Sequence, residues 1–199
     1  MSDTRQPNHN RPLVLKADSH RRMPWKNGGG ETVEIAVFPQ QADLAGFGWR
    51  VSMATVATDG PFSVFAGIDR TLSILQGEGM ELDIEGRTPV VLTQASRPLA
   101  FPADASTSAR LVSGTIVDLN VMTRRGQWTH QVERRTFEGQ HHLDAEGGVT
   151  MLLSLGNLRI ETGDHAEELG RLDCAILDGV VLITSDMPTE AYLIRIAAS

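Results

Sequence analysis

Cysteine is almost missing from this 199-residue chain. Cys174 stands alone, so no disulfide can form within the chain, and a reducing compartment is the expected setting. Tyrosine occurs once, and the aromatic residues together make up only 5%. No apolar run reaches the roughly 18 residues that cross a bilayer as a helix. Residues 1–12 carry no apolar targeting segment, so a cytoplasmic protein with a disordered stretch over 1–12 is the expectation. Positive charge is in deficit as well. With 25 acidic and 18 basic residues the net charge is −7, and the densest basic pieces are the pairs Arg21-Arg22, Arg124-Arg125 and Arg134-Arg135. That balance argues against a broad basic face for nucleic acid, and no membrane contact is expected either.

Much familiar site chemistry is also lacking. The histidines, His9, His20, His130, His141, His142 and His165, form no H-x-H pair and no H-E-x-x-H. No metal and no other cofactor is therefore expected, and the histidines read as surface or loop residues. Cys174 lies in R-L-D-C-A-I-L, an apolar strand pattern that suits a buried structural thiol better than a nucleophile. There is no G-x-S-x-G, no P-loop and no G-x-G-x-x-G; Gly77-Glu78-Gly79 simply joins two strand-like runs. No catalytic residue is assigned. Glu34, Asp69 and Asp118 are acid–base candidates that do not rise above background.

Glycine, by contrast, is plentiful, 19 residues, and punctuates the chain at short intervals. Between these turns lie runs such as T-V-E-I-A-V-F, W-R-V-S-M-A-T-V, T-L-S-I-L-Q, I-V-D-L-N-V-M and A-Y-L-I-R-I. Many short strands at this spacing indicate an all-β sandwich or barrel. Helical signals are limited to single turns at 40–44 and 165–169. The chain also echoes itself: T-L-S-I-L-Q-G-E-G-M-E-L-D-I-E-G over 71–86 is followed by T-M-L-L-S-L-G-N-L-R-I-E-T-G over 150–163. A duplication implies a double β-barrel, bicupin-like, with a first barrel over 13–125 that holds a ligand pocket. The second barrel, over 126–199, would pack intimately on the first.

Strand side chains alternate between faces. One face of W-R-V-S-M-A-T-V carries Arg50, Ser52 and Ala54; one face of V-D-L-N-V-M-T-R carries Asp118, Asn120, Met122 and Arg124; in E-T-V-E-I-A-V-F, Glu34 and Ala36 oppose Val33, Ile35 and Val37. Such faces turn to solvent in many sheets. Small residues beside single charges suit a concave interior better, so a pocket is an open alternative. Lys26, Arg50, Arg70 and Arg124 are candidates to neutralise a carboxylate, although Arg70 could equally pair with Asp69 or Glu78. Trp25, Phe62 and Phe65 could stack on a flat ring, and Asn27, Ser52 and Ser63 offer polar groups. M-P-W-K-N-G-G-G-E-T stays open between two readings. It is either a rim that lets backbone approach a ligand or a turn leading into the next strand with Trp25 in the core.

Four blocks, M-P-W-K-N-G-G-G-E-T, F-G-W-R-V-S-M-A-T-V, D-G-P-F-S-V-F-A-G-I-D-R-T-L-S-I-L-Q-G and D-L-N-V-M-T-R-R, together resemble the HutD/Ves family in content and order. They span Met23 to Arg125; beyond them only G-N-L-R-I and Y-L-I-R-I carry the likeness. The resemblance implies a metal-independent, cupin-like (RmlC-like) fold of two modules. It also implies an accessory or regulatory protein of histidine catabolism rather than an enzyme. The implied ligands are urocanate, formiminoglutamate or formylglutamate. Carried over by motif are Trp25, Lys26, Asn27, Gly28, Gly29, Arg50, Ser52, Asp59, Gly60, Phe62, Ser63, Phe65, Gly67, Asp69, Arg70, Asp118, Asn120, Met122 and Arg124, with Glu34 added from the strand pattern. The expected function is binding of a small carboxylate metabolite. A metal-independent isomerase, epimerase or hydrolase and a protein-interaction module are the alternatives. Strand edges leave a homodimer by sheet pairing open.

Overall fold

The computed structural model describes residues 11–26 and 28–199; the stretch expected to be disordered falls outside the described residues up to residue 10, as does Asn27. The described chain is all-β, with one 3-10 turn at Ala17–Ser19 and no α-helix. In chain order the strands are β1 (Leu13–Leu15), β2 (Arg21–Pro24), β3 (Gly30–Phe38), β4 (Trp49–Val56), β5 (Gly60–Pro61), β6 (Ile68–Gln76), β7 (Met80–Ile84), β8 (Val90–Leu92) and β9 (Leu99–Pro102). There follow β10 (Thr107–Leu111), β11 (Ile116–Arg124), β12 (Trp128–Asp144), β13 (Val149–Ser154), β14 (Leu158–Thr162), β15 (His165–Leu169), β16 (Cys174–Leu177) and β17 (Val180–Ala198). Residues 165–169 are thus a strand, not a helical turn. H-A-E-E-L has helix-forming composition, but Gly163 (φ 54°) turns the chain back so that Thr162 pairs His165 and Leu158 pairs Leu169. Pairing overrides propensity there.

Two compact units emerge. One is His20–Val132 with Ala198–Ser199; the other joins residues 11–19 to Glu133–Ala197. The first unit has a six-stranded antiparallel sheet, β2-β3-β4-β11-β6-β9, and a four-stranded sheet, β5-β10-β7-β8. Their inner faces share one apolar cluster. Ala54, Val56, Leu72 and Ile74 come from the larger sheet and Met80, Leu82 and Ile84 from the smaller. Burying each of the larger side chains contributes about 1.5–3 kcal/mol. The turn between the sheets is tight. At Gly79 (φ 109°) an added Cβ would sit 2.1 Å from the Leu92 carbonyl oxygen, so only glycine fits.

In the other unit the sheet runs β1-β16-β13-β17-β14-β15, with β12 also on β17. Its interior cluster is apolar throughout, built on Leu152, Leu158, Ile160, Leu177, Ile183 and Leu193.

The two units repeat one set of pairings. In the first, β6 pairs β9 and β11, while β7 pairs β8 and β10. In the second, β13 pairs β16 and the C-terminal half of β17. There β14 pairs β15 and the N-terminal half of β17. β17 therefore does in one strand what β10 and β11 do in two.

Candidate functional site

The larger sheet of the first unit lines up side chains in rows, because residues paired across strands point to one face. One row reads Val37, Arg50, Met122, Arg70, Phe101. The next reads Glu34, Ser52, Asn120, Leu72, Leu99. A third reads Thr32, Ala54, Asp118, Ile74. Beyond it Val56 and Ile116 are paired, and both belong to the apolar cluster. On the opposite flank Met122 packs with Phe47, Ile68 and Ala103. A belt of charge thus crosses the barrel interior between two apolar zones.

One expected face assignment changes. A bulge between Glu34 and Ala36 puts two residues of β3 against one of β4, so Val37, not Ala36, shares the face of Glu34.

The belt residues are shut away from water: Arg50 is 6% exposed, Arg70 5%, Asp118 1% and Glu34 9%. Arg50 and Glu34 satisfy each other, the Arg50 Nε donating to Glu34 Oε2 at 2.7 Å. Arg21 approaches the same carboxylate at 3.8 Å from the exposed β2. Asn120 Nδ2 donates to Asp118 Oδ1 at 2.5 Å. Burial pushes the Asp118 carboxyl up to about 7; the Arg70 guanidinium and hydrogen bonds from Asn120 and the Ala54 backbone pull it the other way.

Arg70 is the unanswered group. Its neighbour Asp69 points to the other face, where Arg125 bonds it at 2.8 Å, so the alternative pairing of Arg70 with Asp69 does not form. Three rings surround the Arg70 guanidinium, those of Phe62, Phe65 and Phe101, at 5.3, 5.4 and 5.7 Å. These cation–π contacts replace some of the lost hydration. The Ser63 carbonyl lies 3.5 Å from its terminal nitrogen, at the edge of hydrogen-bonding reach. Its Nε is buried and, among the described residues, has no hydrogen-bond partner. Burial lowers the Arg70 pKa to about 10, Asp118 opposes that, and Arg50 adds to it. The group remains a cation at neutral pH. A buried charged donor left unpaired costs more than the 1–3 kcal/mol typical of a neutral one. A carboxylate is the acceptor that fits a guanidinium fork.

Of the residues singled out by sequence, Glu34, Arg50, Ser52, Arg70, Asp118, Asn120 and Met122 share this face. Phe62 and Phe65 join them from the segment between β5 and β6, where Ser63 is exposed and offers its carbonyl. Arg124 is used structurally: it donates to the carbonyls of Phe47 and Ala45 at 3.1 and 2.9 Å. Trp25 packs on the apolar cluster and donates from Nε1 to Thr32 at 2.8 Å. Lys26 is exposed. Gly28 N donates to the Trp25 carbonyl, and Trp25 N to that of Gly30. An added Cβ on Gly30 would meet the Thr55 carbonyl oxygen at 1.9 Å. A turn pressed against β4 accounts for Gly30, and Gly28 (φ 71°) makes the bend. Gly29, buried, accepts a hydrogen bond from Ala57 N on its carbonyl.

Sequence reasoning missed Phe101, the third ring, because L-A-F-P offers no pattern that points at a cation. It also placed the histidines in loops or on the surface. His20 is buried at 7% exposure. His130 sits on β12, with Nε2 on the Thr71 hydroxyl at 2.8 Å and Nδ1 on that of Thr123 at 2.7 Å. Among the described residues, no cluster of His, Cys, Asp or Glu is arranged to hold a metal ion. No helix among them is long and apolar enough to cross a membrane.

Comparison with known proteins gives this geometry a setting. The HutD family model matches residues 17–193. A Pseudomonas putida protein described as an uncharacterised 21.2 kDa protein in the hutC 3′ region is 36% identical over 175 residues, 83% of this chain and 86% of that one. Protein Ves of Citrobacter koseri is 38% identical over 141 residues, 67% of this chain and 70% of that one. Among solved structures, a conserved protein of Pseudomonas aeruginosa PAO1 superposes with a TM-score of 0.86 at 29% identity, covering 94% of this chain and all (100%) of that one. HutD from Pseudomonas fluorescens SBW25 (formate condition) gives 0.81 at 30% identity, over 95% of this chain and 100% of that one. A cupin 2 conserved barrel domain protein from Leptotrichia buccalis gives 0.58 at 12% identity, over 84% and 88% of the two chains. It shares the fold: the architecture is cupin-like.

Proposed function

The chain belongs to the HutD family, and from that premise we propose that it binds a small carboxylate metabolite inside its first barrel, as an accessory protein of histidine utilisation. The observation that carries this is Arg70: a buried guanidinium ringed by three aromatic side chains, with no anion on its Nε. Arg50, in the same row, is already matched by Glu34. The ligand's carboxylate would take the Arg70 fork, and the three rings would exclude water from that contact. Urocanate, formiminoglutamate and formylglutamate are small acids of this kind. The hutC 3′ region of the P. putida relative supports the histidine setting.

Thermal unfolding against histidine, urocanate, formiminoglutamate, formylglutamate, glutamate and unrelated dicarboxylates tests the reading. A ligand at 100 times its Kd stabilises by about 2.7 kcal/mol, which for a chain of this size is roughly 5–10 °C. One pathway acid should give that shift in the wild type and none in Arg70→Met. A flat panel, or a shift that survives Arg70→Met, would sink it.

A second reading, a metal-independent enzyme on the same acids, is favoured by one observation. A carboxyl raised to about 7, as at Asp118, is suited to carry protons near neutrality. Recovery of the ligand after long incubation separates the two: unchanged ligand speaks for a binder, a new product for an enzyme.

A further inference from the structure

The belt in the first barrel can be counted in charges. Four buried groups carry them, Glu34 on β3, Arg50 on β4, Arg70 on β6 and Asp118 on β11, while the exposed Arg21 on β2 reaches Glu34 from the solvent side at 3.8 Å. The remaining element of that sheet nearest Arg70, β9, contributes Phe101 and Leu99, which are apolar. The smaller sheet contributes Met80, Leu82, Ile84, Leu92 and Ala109 to the shared interior, none of them ionisable. Glu34 and Arg50 cancel through their 2.7 Å bond. That leaves Arg70 as a cation and Asp118 as its one buried counter-charge, held to Asn120. A ligand carboxylate on Arg70 arrives as a third buried anion facing two buried cations. Burying an uncompensated charge in such surroundings is far more costly than neutralising it.

We propose that a carboxylate binding at Arg70 brings one proton with it from solvent, and that Asp118 holds that proton in the bound state. The proposal rests on the carboxylate reading above and adds its regulation: affinity rises as pH falls. The protonated Asp118 leaves Arg70 to the ligand and keeps the belt neutral. It also retains Oδ1 as acceptor for the Asn120 amide, so the hydrogen bond already present need not break. The ligand-free carboxyl is already poised to accept the proton, since burial raises it to about 7. A second anion nearby can only push it further in that direction.

Sodium formate is the probe, because a simple carboxylate ionises well below neutrality and contributes no titration of its own. Its affinity, read from the thermal shift against concentration, should be steady at low pH and weaken by up to about tenfold per pH unit above roughly pH 7. A pH-stat at about pH 8 should record uptake approaching one proton per formate bound, against a chloride control. Asp118→Asn should bind with no pH slope and no uptake, at about the affinity the wild type shows at low pH. If that variant does not fold, the pH-stat on the wild type decides alone. Formate binding that needs Arg70 but shows no pH slope and no uptake overturns the proton inference and leaves the carboxylate reading standing. A slope that persists in Asp118→Asn overturns it too. Formate that does not bind, or binds equally to Arg70→Met, overturns both.

Discussion

At the scale of single residues, the belt holds two groups whose burial costs stability. Arg70 is one. Its replacement by methionine keeps the volume and the ring contacts and removes a buried cation without a proper acceptor. At about pH 6, where Asp118 carries its proton and needs no counter-charge, ligand-free Arg70→Met should be no less stable than wild type in urea unfolding. It should nevertheless show no ligand shift. A clear loss of stability would mean that Arg70 is a structural cation. Asp118 is the other. Its folded-state pKa is raised from 3.8 to about 7, so the folded chain binds this proton more tightly than the unfolded one. The resulting stability is full below about pH 4 and is lost as pH rises through about 7, then stays level. Three pH units correspond to about 4 kcal/mol. Asp118→Asn should therefore gain up to about that much relative to wild type between pH 4 and 8. Denaturant curves at the two pH values measure it; a constant difference would refute the burial argument. Cys174 belongs to neither class. Fully buried, its thiol is pushed up to about 12 by burial and by Asp173, and it should react with thiol reagents only on unfolding.

At the scale of elements, packing makes its own demands. His130 reaches from β12 to the Thr71 hydroxyl on β6 and the Thr123 hydroxyl on β11, tying two adjacent strands of the belt sheet from their other face. His130→Ala leaves both hydroxyls without that partner and should cost about 1–3 kcal/mol in unfolding free energy. A change within about 0.5 kcal/mol would assign those bonds to solvent exchange. This contact also shows where sequence reading stops. His130 lies 59 residues from Thr71, and nothing local announces the pair. The belt itself was largely legible. Period-two alternation placed Arg50 with Ser52 and Asp118 with Asn120 and Met122, because a strand side chain has only two directions to choose from. It failed at Val37, where the β3 bulge reverses the alternation, and a bulge leaves no mark in E-I-A-V. The glycine run stays ambiguous in the sequence for another reason. Whether glycine is needed for a ligand or for a neighbouring strand depends on what stands opposite, and at Gly30 that is the Thr55 carbonyl.

At the scale of the whole chain, the repeated pairings allow the two interiors to be compared position by position. Leu72 and Leu152 belong to the interior clusters of their units, on β6 and β13 respectively. Asn120 pairs Leu72, and Leu193 pairs Leu152. Two residues along, Asp118 pairs Ile74, where Ala191 pairs Ser154. Two residues the other way, the place of Arg70 is taken by Thr150. Arg70, Asp118 and Asn120 thus correspond to Thr150, Ala191 and Leu193, while the place of Met122 is taken by the half-buried Arg195, which donates to the Asp144 carbonyl at 3.4 Å. One architecture has been filled in two ways: Arg195 has a backbone acceptor, whereas the buried Nε of Arg70 has no partner among the described residues. A chain built so should bind one carboxylate, not two. Saturating calorimetric or equilibrium-dialysis titration with the pathway acid that gives the thermal shift should therefore end at one ligand per chain. Arg70→Met should remove all of it. A residual site in that variant, or two equivalents in the wild type, would mean that the second unit also binds.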